Sequence, residues 1–254
     1  MAIIEQFSKH EIPYGILQKF GLTQEMIDDF PENVMNRFLS SRATPVLPVI
    51  TDNAEGQKVK TLARISLVRL EDGSVDVCFA PQWVDEDLTS FTQEQQEKLK
   101  LGEVTTAYVE GKGYCFVQFD DTINQVMTVP VDILNQNISL LRRSYGLNND
   151  KMETLEQGGV VEIKVNDQIL SAGIDLNDAK GIRIANGDIM AWQEDIKADK
   201  LPKYNFGIYG CWLADDDNIL SYVAEDDYDQ TLLAEQERAQ SANAAEAQLN
   251  QLKY

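Results

Sequence analysis

The chain has 254 residues, 43% of them hydrophobic, and its 42 acidic against 22 basic side chains give a formal charge of −20. That length supports one sizeable core or two small ones. The charge repels phosphate backbones and anionic lipid, which argues against direct nucleic-acid or membrane binding; it leaves solubility, a basic protein partner or mimicry of nucleic acid as its uses.

Met1-Ala2-Ile3-Ile4-Glu5 lacks a charged stretch leading into a long apolar core, so no secretory signal is read there. Residues 1–90 read as a helical module followed by a β-hairpin. Ser8 and Glu11 fit a capping box, after which Ile12, Ile16, Leu17 and Phe20 share a face that Gly21 can end. Thr23 caps a second segment carrying Met26, Ile27 and Phe30. Pro31 opens a third, with Val34, Met35, Phe38 and Leu39 inward. Pro45 and Pro48 break the helical pattern, and Asn53-Ala54-Glu55-Gly56 reads as a loop. Residues 62–80 then alternate around Glu71-Asp72-Gly73, where Asp-Gly supplies the positive φ of a hairpin turn.

Part of the chain is written twice. Thr92 with Gln95 caps a helix that closes at Leu99-Lys100-Leu101-Gly102; Asn148 caps one that closes at Leu155-Glu156-Gln157-Gly158, 56 positions on. Val104/Val160, Met127/Ile182, Val129/Ile184, Ile133/Ile189, Asp120/Asp175 and Asp132/Asp188 continue the match. Each copy, 91–147 and 148–192, is expected to be one helix followed by a meander of about three strands, with a short extra helix over Ile138 to Arg143 between them. The Arg142-Arg143 doublet is expected to pair with neighbouring carboxylates.

Residues 193–254 form the fourth segment, an acidic hairpin and helical tail with 13 acidic and 5 basic side chains. Phe206, Ile208, Cys211 and Trp212 precede Asp215-Asp216-Asp217-Asn218; Ile219, Tyr222 and Val223 follow. Leu232 to Leu252 is helical by propensity, with a face made mostly of alanine. A basic partner would meet Trp212, Asp215, Asp216, Asp217, Tyr222, Glu225, Asp226, Asp227 and Asp229, rings giving contact area and charges steering encounter. The competing reading makes Trp212 a core residue and the acids a solvated rim.

The chemistry of catalysis is missing from the pattern. His10, the single histidine, lies inside the first capping box, and no nucleophile elbow, phosphate loop or dinucleotide fingerprint occurs. Asp175-Leu176-Asn177-Asp178 begins like a calcium loop, but Ala179 stands where a ligand oxygen belongs; aspartate suits such turns for backbone reasons. No catalytic residue, cofactor or metal is therefore assigned. Cys78, Cys115 and Cys211 are odd in number, widely spaced and set in apolar strand-like stretches, which fits free buried thiols in a reducing cytoplasm. No apolar run approaches the length of a membrane helix.

Four segments carry a family resemblance: Phe7-Ser8-Lys9-His10-Glu11-Ile12-Pro13-Tyr14 with Arg42-Ala43-Thr44-Pro45, Ile65 to Val75, Leu99-Lys100-Leu101-Gly102 with Val117-Gln118-Phe119-Asp120, and Leu176 to Ile182. Through them the chain resembles uncharacterised multi-domain proteins, known only as domains of unknown function, carried by conjugative elements of gut anaerobic bacteria. The resemblance implies a place beside mobile-element DNA processing and no assigned reaction. The expectation is an α+β protein: a short-helix module with hairpin, tandem helix-plus-antiparallel-meander repeats, and a C-terminal hairpin and helical tail. Functionally it is a cytoplasmic, non-enzymatic interaction or accessory factor, monomeric or weakly oligomeric. An acidic DNA mimic that inhibits a DNA-binding enzyme is the first alternative, and an enzyme with an unrecognised carboxylate site the second.

Overall fold

Three short helices, α1 (Tyr14–Leu17), α2 (Gln24–Asp28) and α3 (Glu32–Leu39), open the fold. The computed structural model describes residues 6–53, 55–83, 87–166, 168–178, 180–197 and 201–251, with backbone alone at 194–197 and 243–251. Residues 1–5, Ala54 of the first loop, Ala179 of the aspartate turn and Leu252 of the tail lie outside the described residues. As expected, Thr23 accepts from the Met26 amide, Gly21 ends its turn at φ 79°, and Val34, Met35, Phe38 and Leu39 are buried.

The first sheet contains β1 (Leu47–Asp52), β2 (Lys58–Arg69) and β3 (Val75–Pro81), antiparallel in that order. Asp72-Gly73 makes the β2–β3 turn, with Asp72 accepting from the Ser74 amide at 2.9 Å. The hairpin is thus widened by β1. Pro48 sits in that strand because an edge strand needs ladder bonds on one side only.

Both repeat units take the expected form. In the first, α4 (Gln93–Lys100) leads into β4 (Thr105–Val109), β5 (Gly113–Asp120) and β6 (Gln125–Pro130). A 15-residue helix, α5 (Val131–Tyr145), follows; it is longer than the short connector expected because Pro130 starts it at once where β6 ends. The second unit is α6 (Asn149–Glu156), β7 (Val161–Val165), β8 (Gln168–Ile174) and β9 (Ile182–Asn186), then α7 (Ile189–Lys197). Each sheet is antiparallel with the middle strand central, and Thr92 and Asn148 both cap their helices. Leu99 and Leu155 are fully buried, whereas Ile133 and Ile189 are exposed on the helices that follow each meander. Arg142 and Arg143 bond the Asn149 side chain (2.9 Å) and the Ser139 carbonyl (3.4 Å), correcting the carboxylate pairing expected of the doublet.

Gly102 and Gly158 close α4 and α6 at φ 71° and 84°. A Cβ at 158 would lie 3.1 Å from the Val104 carbonyl oxygen, while one at 102 meets nothing within 4 Å. Gly158→Val is accordingly expected to cost more than about 1 kcal/mol, lowering Tm by about 2–4 °C, and Gly102→Val to cost less. Equal melting temperatures for wild type and Gly158→Val would refute this.

A fourth meander, β10 (Tyr204–Phe206), β11 (Gly210–Ala214) and β12 (Leu220–Ala224), precedes the tail helix α8 (Gln230–Gln251). The ends of the fold share one core: Phe30, Phe38, Leu47 and Ile65 pack with Trp212, Ala214 and Leu220. A second core joins α5, α6 and the β7–β9 sheet to Phe116 of the first repeat; Leu99, Ala107, Cys115 and Val117 make a third. Cross-unit bonds run from the Trp83 amide to the Ile123 carbonyl (2.8 Å), from the Leu176 amide to the Gln118 side chain (2.7 Å) and from the Leu220 amide to the Val46 carbonyl (2.7 Å). Cys115 and Cys211 are buried free thiols, but Cys78 is exposed because it follows buried Val77 on the edge strand β3. Among the described residues no helix is long and apolar enough to cross a membrane.

Candidate functional site

Burial divides the nine residues expected at a partner surface. Trp212 is a core residue, which corrects its expected role as a contact ring. Its indole N–H donates to the Met26 carbonyl at 2.8 Å, and its ring lies 5.3 Å from Phe30 and 5.1 Å from Tyr222. Tyr222 turns its hydroxyl inward and donates to Asp29 at 2.6 Å; burial and this carboxylate hold the phenol well above its ordinary range. Strand β11 is central and β12 packs on the first module, so alternation sends both rings to the core.

Three of the acids do come together. Asp215 from the β11–β12 turn, Asp227 from the 3-10 turn Glu225–Asp227, and Asp229 at the start of α8 line a groove of about 540 Å³. Its apolar lining includes Tyr204, Leu213, Leu220 and Leu232, and among the described residues Lys203 is the single cation in it. Local chemistry positions each carboxylate. Asp215 accepts from the Asp217 and Ile219 amides at 3.0 and 2.8 Å, and Asp229 caps α8 by accepting from the Leu232 amide at 2.8 Å. Lys203 lies 5.2 Å above the Tyr204 ring, at the edge of cation–π range. Phe206 and Tyr228 meet edge-on nearby; burial raises the Tyr228 phenol to about 12. Asp216, Glu225 and Asp226 are exposed outside the groove.

Asp217 points elsewhere, into a cleft of about 360 Å³ where the units meet. Arg37 and Arg64 of the first module, Asp120 of the first repeat, and Asp175 and Arg183 of the second all line it. Arg64 is paired with Asp120 at 2.6 Å, Arg183 with Asp175 at 3.5 Å, and Arg42 with Asp178 at 3.5 Å. In the aspartate turn that starts like a calcium loop, Asp175 and Asp178 therefore face Arg183 and Arg42. Among the described residues no three His, Cys, Asp or Glu side chains are placed to share a metal. Arg37, buried beside Arg42, is lowered to about 10. Nothing in the sequence pattern marks the Arg64–Asp120 and Arg42–Asp178 pairs, because their members stand far apart in the chain.

Burial, then the Asp175 carboxylate, pushes the Asp178 carboxyl up to about 8 against the pull of Arg42, Arg37 and Arg183. A carboxyl raised on folding holds its proton more tightly in the native state. Its contribution is complete below the ordinary 3.8 and is lost as pH rises toward 8. The unfolding free energy read from urea titrations should fall across this window by at most about 1.4 kcal/mol per pH unit. Asp178→Asn should flatten the profile; an unchanged slope would eliminate Asp178 as its source.

The first module has relatives. Residues 7–89 match the model of a family described as "Protein of unknown function (DUF4099)". The DUF4099 match spans α1–α3 and the first meander, which makes this part of the chain an uncharacterised domain of unknown function. It ends before α4 and covers neither the repeats nor the acidic groove. No curated protein and no solved structure matches the chain.

Proposed function

We propose that this protein is a non-enzymatic interaction factor that takes a basic segment of a partner protein into the groove between the fourth meander and α8. The observation that carries the reading is the convergence of Asp215, Asp227 and Asp229, from three separate elements, around an apolar floor. Carboxylates at the rim steer a cationic partner and the apolar floor gives it area to bury. The resemblance of residues 7–190 to mobile-element proteins supports an accessory role in such an element, and in this reading the factor works in the cytoplasm as a monomer or weak oligomer. The net charge of −20 supports a basic protein over nucleic acid as the ligand.

The test is the triple change Asp226, Asp227 and Asp229→Asn. Asparagine keeps an oxygen at the α8 cap, so the fold should survive. The immobilised variant is expected to recover less basic partner from a host extract than wild type, and what it retains should depend less on salt. The same partners at the same yield and salt sensitivity would discard the groove as the interaction site.

A further inference from the structure

The β10–β11 turn presents Ile208 to water at 76% exposure and Tyr209 at 45%. Turns that expose large apolar side chains are ordinarily mobile, but this one is clamped from below. The Ile208 amide donates to Asp29 Oδ1 at 2.6 Å and the Tyr209 amide to Asp29 Oδ2 at 3.0 Å. Asp29 itself is 5% exposed and comes from the far end of the fold, at the close of α2. Gly207 is required beneath it, since a Cβ there would overlap the Asp29 carboxylate. Folding thus meets the entropic cost of ordering an exposed apolar tip, the preorganisation that favours recognition.

Beside the tip lies an open groove of about 620 Å³, walled by α3 on one side and β10 on the other. Among the described residues its charged lining is Asp28, Asp29 and Glu32, with no lysine or arginine. Asp28 already accepts from the Tyr14 hydroxyl at 2.7 Å, which fixes it at the groove edge. An anionic trough next to a rigid aliphatic knob is complementary to one chemistry: a segment carrying Lys or Arg beside an apolar residue.

We infer that the Ile208–Tyr209 turn with the Asp28/Glu32 groove is a second docking surface, for a cationic amphipathic segment of a partner protein. The apolar residue of that segment covers Ile208 and its cations meet Asp28 and Glu32. This surface is separate from the Asp215/Asp227/Asp229 groove and does not depend on it.

The full ¹⁵N-labelled chain is titrated with a short peptide alternating lysine and leucine, and with its glutamate/leucine counterpart. The lysine peptide is expected to shift the amides of Ile208, Tyr209, Asn33 and Asn36, more weakly as salt rises, and the glutamate peptide to leave them in place. Ile208→Ser and Glu32→Lys, each at an exposed position, should each weaken the lysine peptide about tenfold. The triple Asn variant at 226, 227 and 229 should show the same peptide-induced shifts at Ile208, Tyr209, Asn33 and Asn36 as wild type, whatever it loses at its own groove. Shifts confined to other amides, wild-type affinity in both Ile208→Ser and Glu32→Lys, or loss of these four shifts in the triple variant would overturn the assignment.

Discussion

Asp29→Ala is expected to destabilise the protein by about 3 kcal/mol, because it strands three partly buried donors at once. The Ile208 and Tyr209 amides and the Tyr222 hydroxyl all converge on that carboxylate, which is 5% exposed. Bonds to a charged acceptor are worth about 1.5–3 kcal/mol each, though not additively. The loss should appear as a lower urea midpoint, with a near-ultraviolet signal that reports Trp212, whose ring touches Tyr222. Asp29→Asn keeps one acceptor oxygen and should cost less. An Asp29→Ala protein within about 1 kcal/mol of wild type would show that the contact between α2 and the last meander does not depend on the Asp29 bonds.

Asp120→Ala is the second large effect. The Asp120 side chain is 3% exposed and the Arg64 side chain 18%, and they meet at 2.6 Å. Removing one partner leaves an uncompensated buried charge, a loss of about 3–5 kcal/mol. Asp120 also accepts from the Thr122 and Ile123 amides at 3.0 and 3.3 Å, so the turn that seats fully buried Ile123 loosens as well. Replacing both partners, Arg64→Leu with Asp120→Leu, should recover part of the loss, because no lone charge remains. A double variant as unstable as the sum of the two single ones would show that the ion pair has no energetic coupling across the unit boundary.

Local chemistry was legible along the chain. Thr23, Thr92 and Asn148 cap helices, Gly102 and Gly158 take positive φ, and Asp72-Gly73 turns a hairpin, because each of these depends on a few neighbouring residues. The duplicated helix and meander was legible for the same reason: two similar stretches meet the same local demands. Tertiary structure decided the rest. Strand β10, three residues long, is too short to show alternation, and β1 contains a proline that only an edge position tolerates. For Trp212 the sequence allowed both a contact ring beside acids and a core residue, and the packing of α2 and the first module makes it the core residue. The acids Asp215 and Asp217, two positions apart on one turn, face different hollows, one an open groove and the other a junction crowded with arginine. Pairings such as Arg64 with Asp120, or Asp29 with the Ile208 turn, join residues far apart in sequence. Their existence depends on which faces pack together, and burial of apolar area, which is non-directional and long-range along the chain, settles that only once the whole protein has folded.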